Sequence, residues 1–233
     1  MTTLSDIAIL LIAAFGAGVL NTIAGGGTFL TFPALVFTGM PPVAANATSA
    51  VAVFPGYLAG AFGFRDELGG FDRKRLLRLS LITLAGGVVG SGLLLVSSNA
   101  AFSVVVPFLL LAATLAFLLG DRIRAFAASH ARAVTPEGTL GLFAVSVYGG
   151  YFNGGLGIVL LALFALWGMT DLHGMNGLKN GLSFVLSSIS VAVFALAGLV
   201  AWPQALMMML AATAGAMPGR RWRGPCRNRP CAG

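Results

Sequence analysis

The chain has 233 residues, of which 58% are hydrophobic and 9% charged, with a mean hydropathy of +0.92 and a formal net charge of +7. No water-soluble domain of this size can bury so much apolar sequence, so the composition excludes a soluble enzyme or regulator and indicates a polytopic membrane protein. The basic excess is no nucleic-acid face either. Arg220, Arg221, Arg223, Arg227 and Arg229 lie at the very end, and the rest carries nine basic against seven acidic residues, most of the basic ones in two loops.

From Ile7 to Phe64 there is no Asp, Glu, Lys, Arg or His. Apolar runs bounded by charge or turn residues predict membrane elements over 7–37, 44–64, 76–96, 103–119, 139–167, 181–200 and 202–217. The first and fifth are longer than the ~20 residues one pass needs, and each is interrupted. Asn21 is followed by Gly25, Gly26 and Gly27, and Asn153 by Gly154, Gly155 and Gly157. Each is a long kinked helix or a helix followed by a re-entrant half. Unpaired peptide groups facing hydrocarbon are costly, so such breaks must be enclosed by protein or line a polar cavity. Two of them in corresponding positions point to the substrate site of a transporter.

The stretches "GVLNTIAGGGTFLTFPALVFTGMPPVAANATS" and "GGYFNGGLGIVLLALFALWGMTDLHGMNGLKN" align Asn21 with Asn153, Gly39 with Gly168 and Asn46 with Asn176. The chain therefore divides into a first transmembrane repeat (7–119), a cytoplasmic connecting loop (120–137), a second, incomplete repeat (138–217) and a basic tail (218–233). Counting four passes between matched elements makes the repeats parallel; a re-entrant half counted as a pass would invert them. Arg65, Arg73, Lys74, Arg75 and Arg78 crowd one connection and Arg122, Arg124 and Arg132 another, which places both in the cytoplasm, with 38–43 and 97–102 outside.

The strings "NTIAGGGTFLTFPALVFTGMPPVAANATSA", "YFNGGLG" and "NGLKNGLSF" resemble the TauE/SafE family of sulfite exporters, also called the TSUP permeases, over about residues 10 to 217. The resemblance implies an all-α, multi-pass carrier of the bacterial inner membrane, exporting small sulfur-containing or organic anions. Beyond 217 the sequence turns rich in Arg, Pro and Cys, a composition that a frameshift in a GC-rich gene produces; the alternative is a basic cytoplasmic tail.

A broken helix presents backbone N–H groups and a partial positive charge to an anion without needing a basic side chain. The expected donors are the amides of Gly26 to Phe29 and Gly155 to Ile158, supplemented by Asn21, Thr22, Thr28 and Asn153, with glycine permitting positive φ and close approach. Asn46 and Thr48 in one half, and Asn176 and Lys179 in the other, open the following spans as caps or as ligands. Lys179 is the only cation between Arg132 and Arg220, so it either snorkels or attracts the anion. Gly56/Gly60 and Gly86/Gly90 read as helix-packing glycines. All seven carboxylates fall at span ends or in loops.

Gly25 to Thr28 lacks a P-loop lysine, and Cys226 and Cys231 have no companion ligands. Neither a cofactor nor a metal is indicated. The implied partners are a small anion and the lipid bilayer, with a homo-oligomer compatible but unspecified. Two other readings remain: an integral-membrane lipid-modifying enzyme, and a non-transporting membrane subunit. The orientation is testable. Single cysteines replacing Gly70 and Ala128 should react only with reagent reaching the cytoplasmic side, and one replacing Asn99 only from outside; labelling of Gly70→Cys in intact cells by an impermeant reagent would overturn it.

Overall fold

A hydrocarbon solvent offers the backbone no partners, so each apolar segment closes its own hydrogen bonds as a helix. The computed structural model describes residues 4–23, 26–63, 68–119, 122, 125–126 and 138–216. Among them run α1 (Leu4–Ile23), α2 (Thr28–Phe37), α3 (Pro42–Gly63), α4 (Arg73–Val96), α5 (Asn99–Leu118), α6 (Thr139–Tyr151), α7 (Leu156–Leu166), α8 (Leu172–Leu196) and α9 (Trp202–Ala216). No strand occurs among the described residues. The protein is an all-α polytopic membrane protein. Three of these helices are long and apolar enough to cross a membrane by themselves, within Leu4–Asn21, Arg73–Val96 and Leu172–Leu196. Large apolar side chains such as Phe108, Leu140, Leu196 and Leu210 stand exposed on the outside, where lipid and not water is the neighbour.

Both broken elements are hairpins and not kinked helices. A Cβ on Gly16 would touch Leu30 at 3.0 Å and one on Gly27 would lie 2.9 Å from the Ala17 carbonyl oxygen, so α2 returns along α1. Likewise Leu156 lies against Gly149 and Leu163 against Gly141, so α7 returns along α6. Each short helix then ends in the same way: Met40 N donates to Leu35 O and Met169 N to Phe164 O, both at 3.1 Å, with Gly39 and Gly168 at φ 85° and 77°. This is the six-residue closure that a left-handed glycine permits at a helix end.

The central pair is α3 and α8. Both follow a re-entrant hairpin, and Asn46 and Asn176 are the fifth residue of each. They run antiparallel: Phe54 stacks on Phe184 with centroids 5.4 Å apart, while Gly60 faces Asn180. Equivalent helices running in opposite directions make the two halves inverted, which corrects the parallel arrangement inferred from counting passes. Each re-entrant return adds a reversal that an apolar run does not record.

The halves also exchange a helix. α4 follows α3 in the chain but packs on α6 and α8 of the other half, with Gly86 against Phe143 O and Ser146, Gly90 against Val147 O, and Gly87 against Leu186 and Ile189. α9 does the converse, packing on α1 and α3, with Gly18 against Ala212 O and Gly215 against Phe15 O. Backbone-to-backbone approach of this kind is available only to residues without a side chain, and in lipid it supplies the packing that a hydrophobic driving force does not.

The predicted element over 181–200 begins nine residues earlier, at Leu172. His173, Asn176, Lys179 and Asn180 depress the local hydropathy but do not interrupt the helix. Its true cap is Asp171, whose carboxylate accepts from His173 N at 3.0 Å and Gly174 N at 2.9 Å. The turns at 38–41, 97–98 and 197–201 share one face, tied by Val43 N donating to Asn99 Oδ1 and Ala201 N donating to Thr48 Oγ1, both at 3.1 Å. The opposite, basic face holds the segment before α4, where Leu68 and Phe71 lie against Gly181 and Gly174 at the start of α8. Most of the 120–137 connection and the whole tail from 217, with Cys226 and Cys231, lie outside the described residues.

A side chain at Gly90 must push α4 away from the α6 backbone, whereas Gly92 has nothing within 4 Å of a Cβ. Gly90→Leu is therefore expected to destabilise the fold by about 1–3 kcal/mol, the scale of overpacking, and Gly92→Ala by none. Thermal unfolding in detergent, followed by loss of the monodisperse species, distinguishes the two.

Candidate functional site

The two breaks meet at the α3–α8 crossing. Phe152, in the second break, packs edge-on against Phe32 of α2 with centroids 5.6 Å apart. Asn153 beside it spans both central helices: its Oδ1 accepts from Tyr57 Oη at 3.5 Å, and its Nδ2 donates to Ser187 Oγ at 3.3 Å. Tyr57 and Ser187 are the sixteenth residues of α3 and α8, so one amide bridges equivalent positions of the inverted halves. Tyr148 Oη donates to Gly154 O and holds the break against α6. On the other side Asn21 lies in the last turn of α1, buried, with its Nδ2 against Gly56 and its Oδ1 unpartnered. Thr28 opens α2, also buried and with Oγ1 unpartnered.

Neither short helix has a side-chain cap; the N-caps are Gly27 and Gly155. Their carbonyls take matching bonds, from Leu30 N and Thr31 N in one case and from Ile158 N and Val159 N in the other. Phe29 N donates to Gly26 O. The amides of Phe29 and Ile158 are thus spent inside the turns, contrary to expectation. The amides left at the helix starts are those of Thr28, Leu156 and Gly157. The glycines also divide their roles. Gly155 sits at φ 70°, where a side chain is strained. Gly27 has an ordinary helical φ of −56°, and it is required because a Cβ there would press on Ala17 O and Val53.

The matched carbonyl bonds fix the register between the halves: Gly27 corresponds to Gly155, so Asn153 corresponds to Gly25 and not to Asn21. The two asparagines occupy different places, one in the final turn of a helix and one in the break itself. Gly25 and the side chain of Thr22 lie outside the described residues.

The remaining candidates separate along the seam. Asn46 reaches across the halves, its Nδ2 donating to Tyr151 O at 2.9 Å. Thr48 is occupied in accepting from Ala201 N ahead of α9, a structural task. Asn176 stays on its own helix, donating to Leu172 O at 2.8 Å and accepting from Lys179 Nζ at 3.1 Å. Lys179 does not snorkel: it is 1% exposed, the only charged side chain buried among the described residues. One of its three donors meets a neutral amide, that of Asn176.

Sequence reasoning missed Tyr57, Tyr148, Ser183, Ser187 and Ser190. A signal existed for four α8 positions: Asn180, Ser183, Ser187 and Ser190 recur at steps of three and four, so they form one polar stripe, and all are buried. Ser183 and Ser190 have unpartnered hydroxyls. On α3 the facing positions Gly56 and Gly60 accommodate Asn21 and Asn180. They are spaces for amides, and their expected role in helix packing belongs instead to Gly86 and Gly90.

The family model described as "Sulfite exporter TauE/SafE" matches residues 10–229. A probable membrane transporter protein, ORF9, of Sinorhizobium sp is 30% identical over 222 residues, covering 93% of this chain and 82% of that one. A probable membrane transporter protein of Haemophilus influenzae is 31% identical over 226 residues, covering 92% and 84%. The probable membrane transporter protein YfcA of Escherichia coli K12 is 27% identical over 216 residues, covering 91% and 79%. No solved structure matches.

Because Asn153 satisfies groups on both central helices, Asn153→Ala should cost about 1–3 kcal/mol, the penalty for leaving buried polar atoms unpaired. Ser187→Ala, which removes the donor's partner at one end alone, should cost less. Melting temperatures of the two variants in the same detergent provide the comparison.

Proposed function

This chain belongs to the sulfite exporter TauE/SafE family, a family of membrane transporters and not of enzymes, and from that premise we propose that it is a multi-pass permease of the bacterial inner membrane. Its cargo in this reading is a small anion, sulfite or another organosulfur or organic acid, moved outward with the basic loops in the cytoplasm. The observation that supports this best is the pair of uncapped helix starts, at Thr28 and Leu156, directed into a buried polar seam.

The chemistry follows from charge. The positive ends of two helix dipoles, free amides and the side chains of Asn21, Thr28 and Asn153 offer an anion donors without the permanent salt bridge that would hold it too tightly to release. Lys179, nearer the basic face, adds long-range attraction at the entrance. With the cell interior negative, each 100 mV contributes about 2.3 kcal/mol per charge toward export. A buried coupling carboxylate is thus dispensable.

Radiolabelled sulfite flux in proteoliposomes tests this. Gly155→Val, which forces a branched side chain into a left-handed position, and Gly26→Val should abolish flux while the protein still inserts. Asn21→Ala should weaken apparent affinity by about 1–3 kcal/mol, as for a buried polar group left unpaired. Lys179→Gln should reduce uptake at low salt and converge on wild type as ionic strength rises. Full-rate flux in both valine variants would remove the breaks from the substrate path. Absence of flux for every anion tried with the wild-type protein would instead favour a non-transporting subunit.

A further inference from the structure

The inverted halves are equivalent in register but not in bonding, and the difference lies at one residue pair. Asn46 and Asn176 hold the same position of α3 and α8. Asn46 crosses to the opposite half and donates to the carbonyl of Tyr151, the last residue of α6. Asn176 makes no such crossing; its amide is turned onto Leu172 O and Lys179. The register set by Gly27 and Gly155 makes Ile23, the last residue of α1, the counterpart of Tyr151. One half has its asparagine latched to the other half's hairpin, while the equivalent latch is undone.

Around the engaged latch an aromatic cap closes the seam toward the turn face. Phe102 packs on Tyr151, Phe32 and Phe152 with centroids 5.5, 6.2 and 6.4 Å apart, and Tyr151 Oη lies 3.3 Å from Ser97 Oγ. Phe102 and Phe152 are fully buried. The position equivalent to Phe152 in the first half is Ala24, a residue with no ring to contribute.

We propose that Asn46 and Asn176 are alternating gate residues, and that the bond from Asn46 to Tyr151 O with the Phe32–Phe102–Phe152 cap is the shut gate on the turn face. In the other end state the Asn46 bond breaks, and Asn176 leaves Leu172 O and Lys179 to take the mirrored bond to Ile23 O. Asn46 then turns back onto its own helix as Asn176 does in this structure, so one cross-half bond is exchanged for the other and each state keeps one latch, as a carrier cycling between two states requires. Releasing Lys179 from Asn176 in the same movement frees its ammonium group at the basic face. This rests on the transport reading above, with the seam as the path.

The test uses full-length protein in which Cys226→Ser and Cys231→Ser leave one thiol, introduced as Ser187→Cys in the seam. In oriented vesicles an impermeant thiol reagent is applied to either face. Asn46→Ala should raise labelling from the turn face by about three- to tenfold, the scale of one net hydrogen bond, and lower it from the basic face. Asn176→Ala should do the opposite. Phe102→Ala, which thins the cap without touching either asparagine, should act in the same direction as Asn46→Ala and guards against a variant that fails to fold. Equal changes from both faces, or the same sign for the two asparagine variants, would overturn the gate. The readout needs no flux, so failure to transport any chosen anion would count against the carrier reading while the labelling pattern still decides the gate.

Discussion

Everything in this molecule answers to the cost of leaving a peptide group unpaired in hydrocarbon. Helices settle that cost along their length, but a helix that stops at mid-depth exposes its last carbonyls and the next helix's first amides. Here the described residues of the two stops, 26–27 and 152–155, are enclosed by the rest of the bundle. Tyr148 and Asn46 take up carbonyls of the second break, at Gly154 and Tyr151, and Asn153 extends the network to both central helices. The amides are left at the helix starts. Donors at the helix starts are what the proposed anion would use.

The exchange of α4 and α9 explains how such hairpins remain in place. A ten-residue helix has little apolar surface of its own and is marginal alone, so α2 and α7 depend on what surrounds them. Each is walled by its own half's long helices, and each of those is clamped in turn by a helix from the other half through the Gly86/Gly90 and Gly18/Gly215 contacts. Neither half is complete without the other. The interface at α3 and α8 is polar and small along its seam, with Ser183, Ser187 and Ser190 buried and Gly56 and Gly60 facing amides.

Two features distinguish the halves. The second break carries Tyr151 and Phe152 where the first carries Ile23 and Ala24, and a buried lysine occupies only the second long central helix. The aromatic cap lies toward the turn face and the cation toward the basic face, so the pseudo-symmetric frame is given a direction.

How much of this was legible beforehand depends on which interactions are local. Composition, the uncharged run from Ile7 to Phe64 and the Asn-Gly breaks determined an all-α membrane protein with two interrupted elements and a resemblance to one transporter family, because hydropathy and glycine content act over a few residues. Other features were decided only by tertiary contacts. Whether the breaks are kinks or hairpins depends on Leu30 meeting Gly16 and Leu163 meeting Gly141. The inverted relation of the halves depends on Phe54 meeting Phe184. The true partner of Asn46 lies 105 residues away. The polar stripe of α8 was present in the sequence as a period of three and four, yet each serine by itself is unremarkable in an apolar run. Its meaning appears when the stripe is buried, since burial turns an isolated hydroxyl into a group that must find a partner.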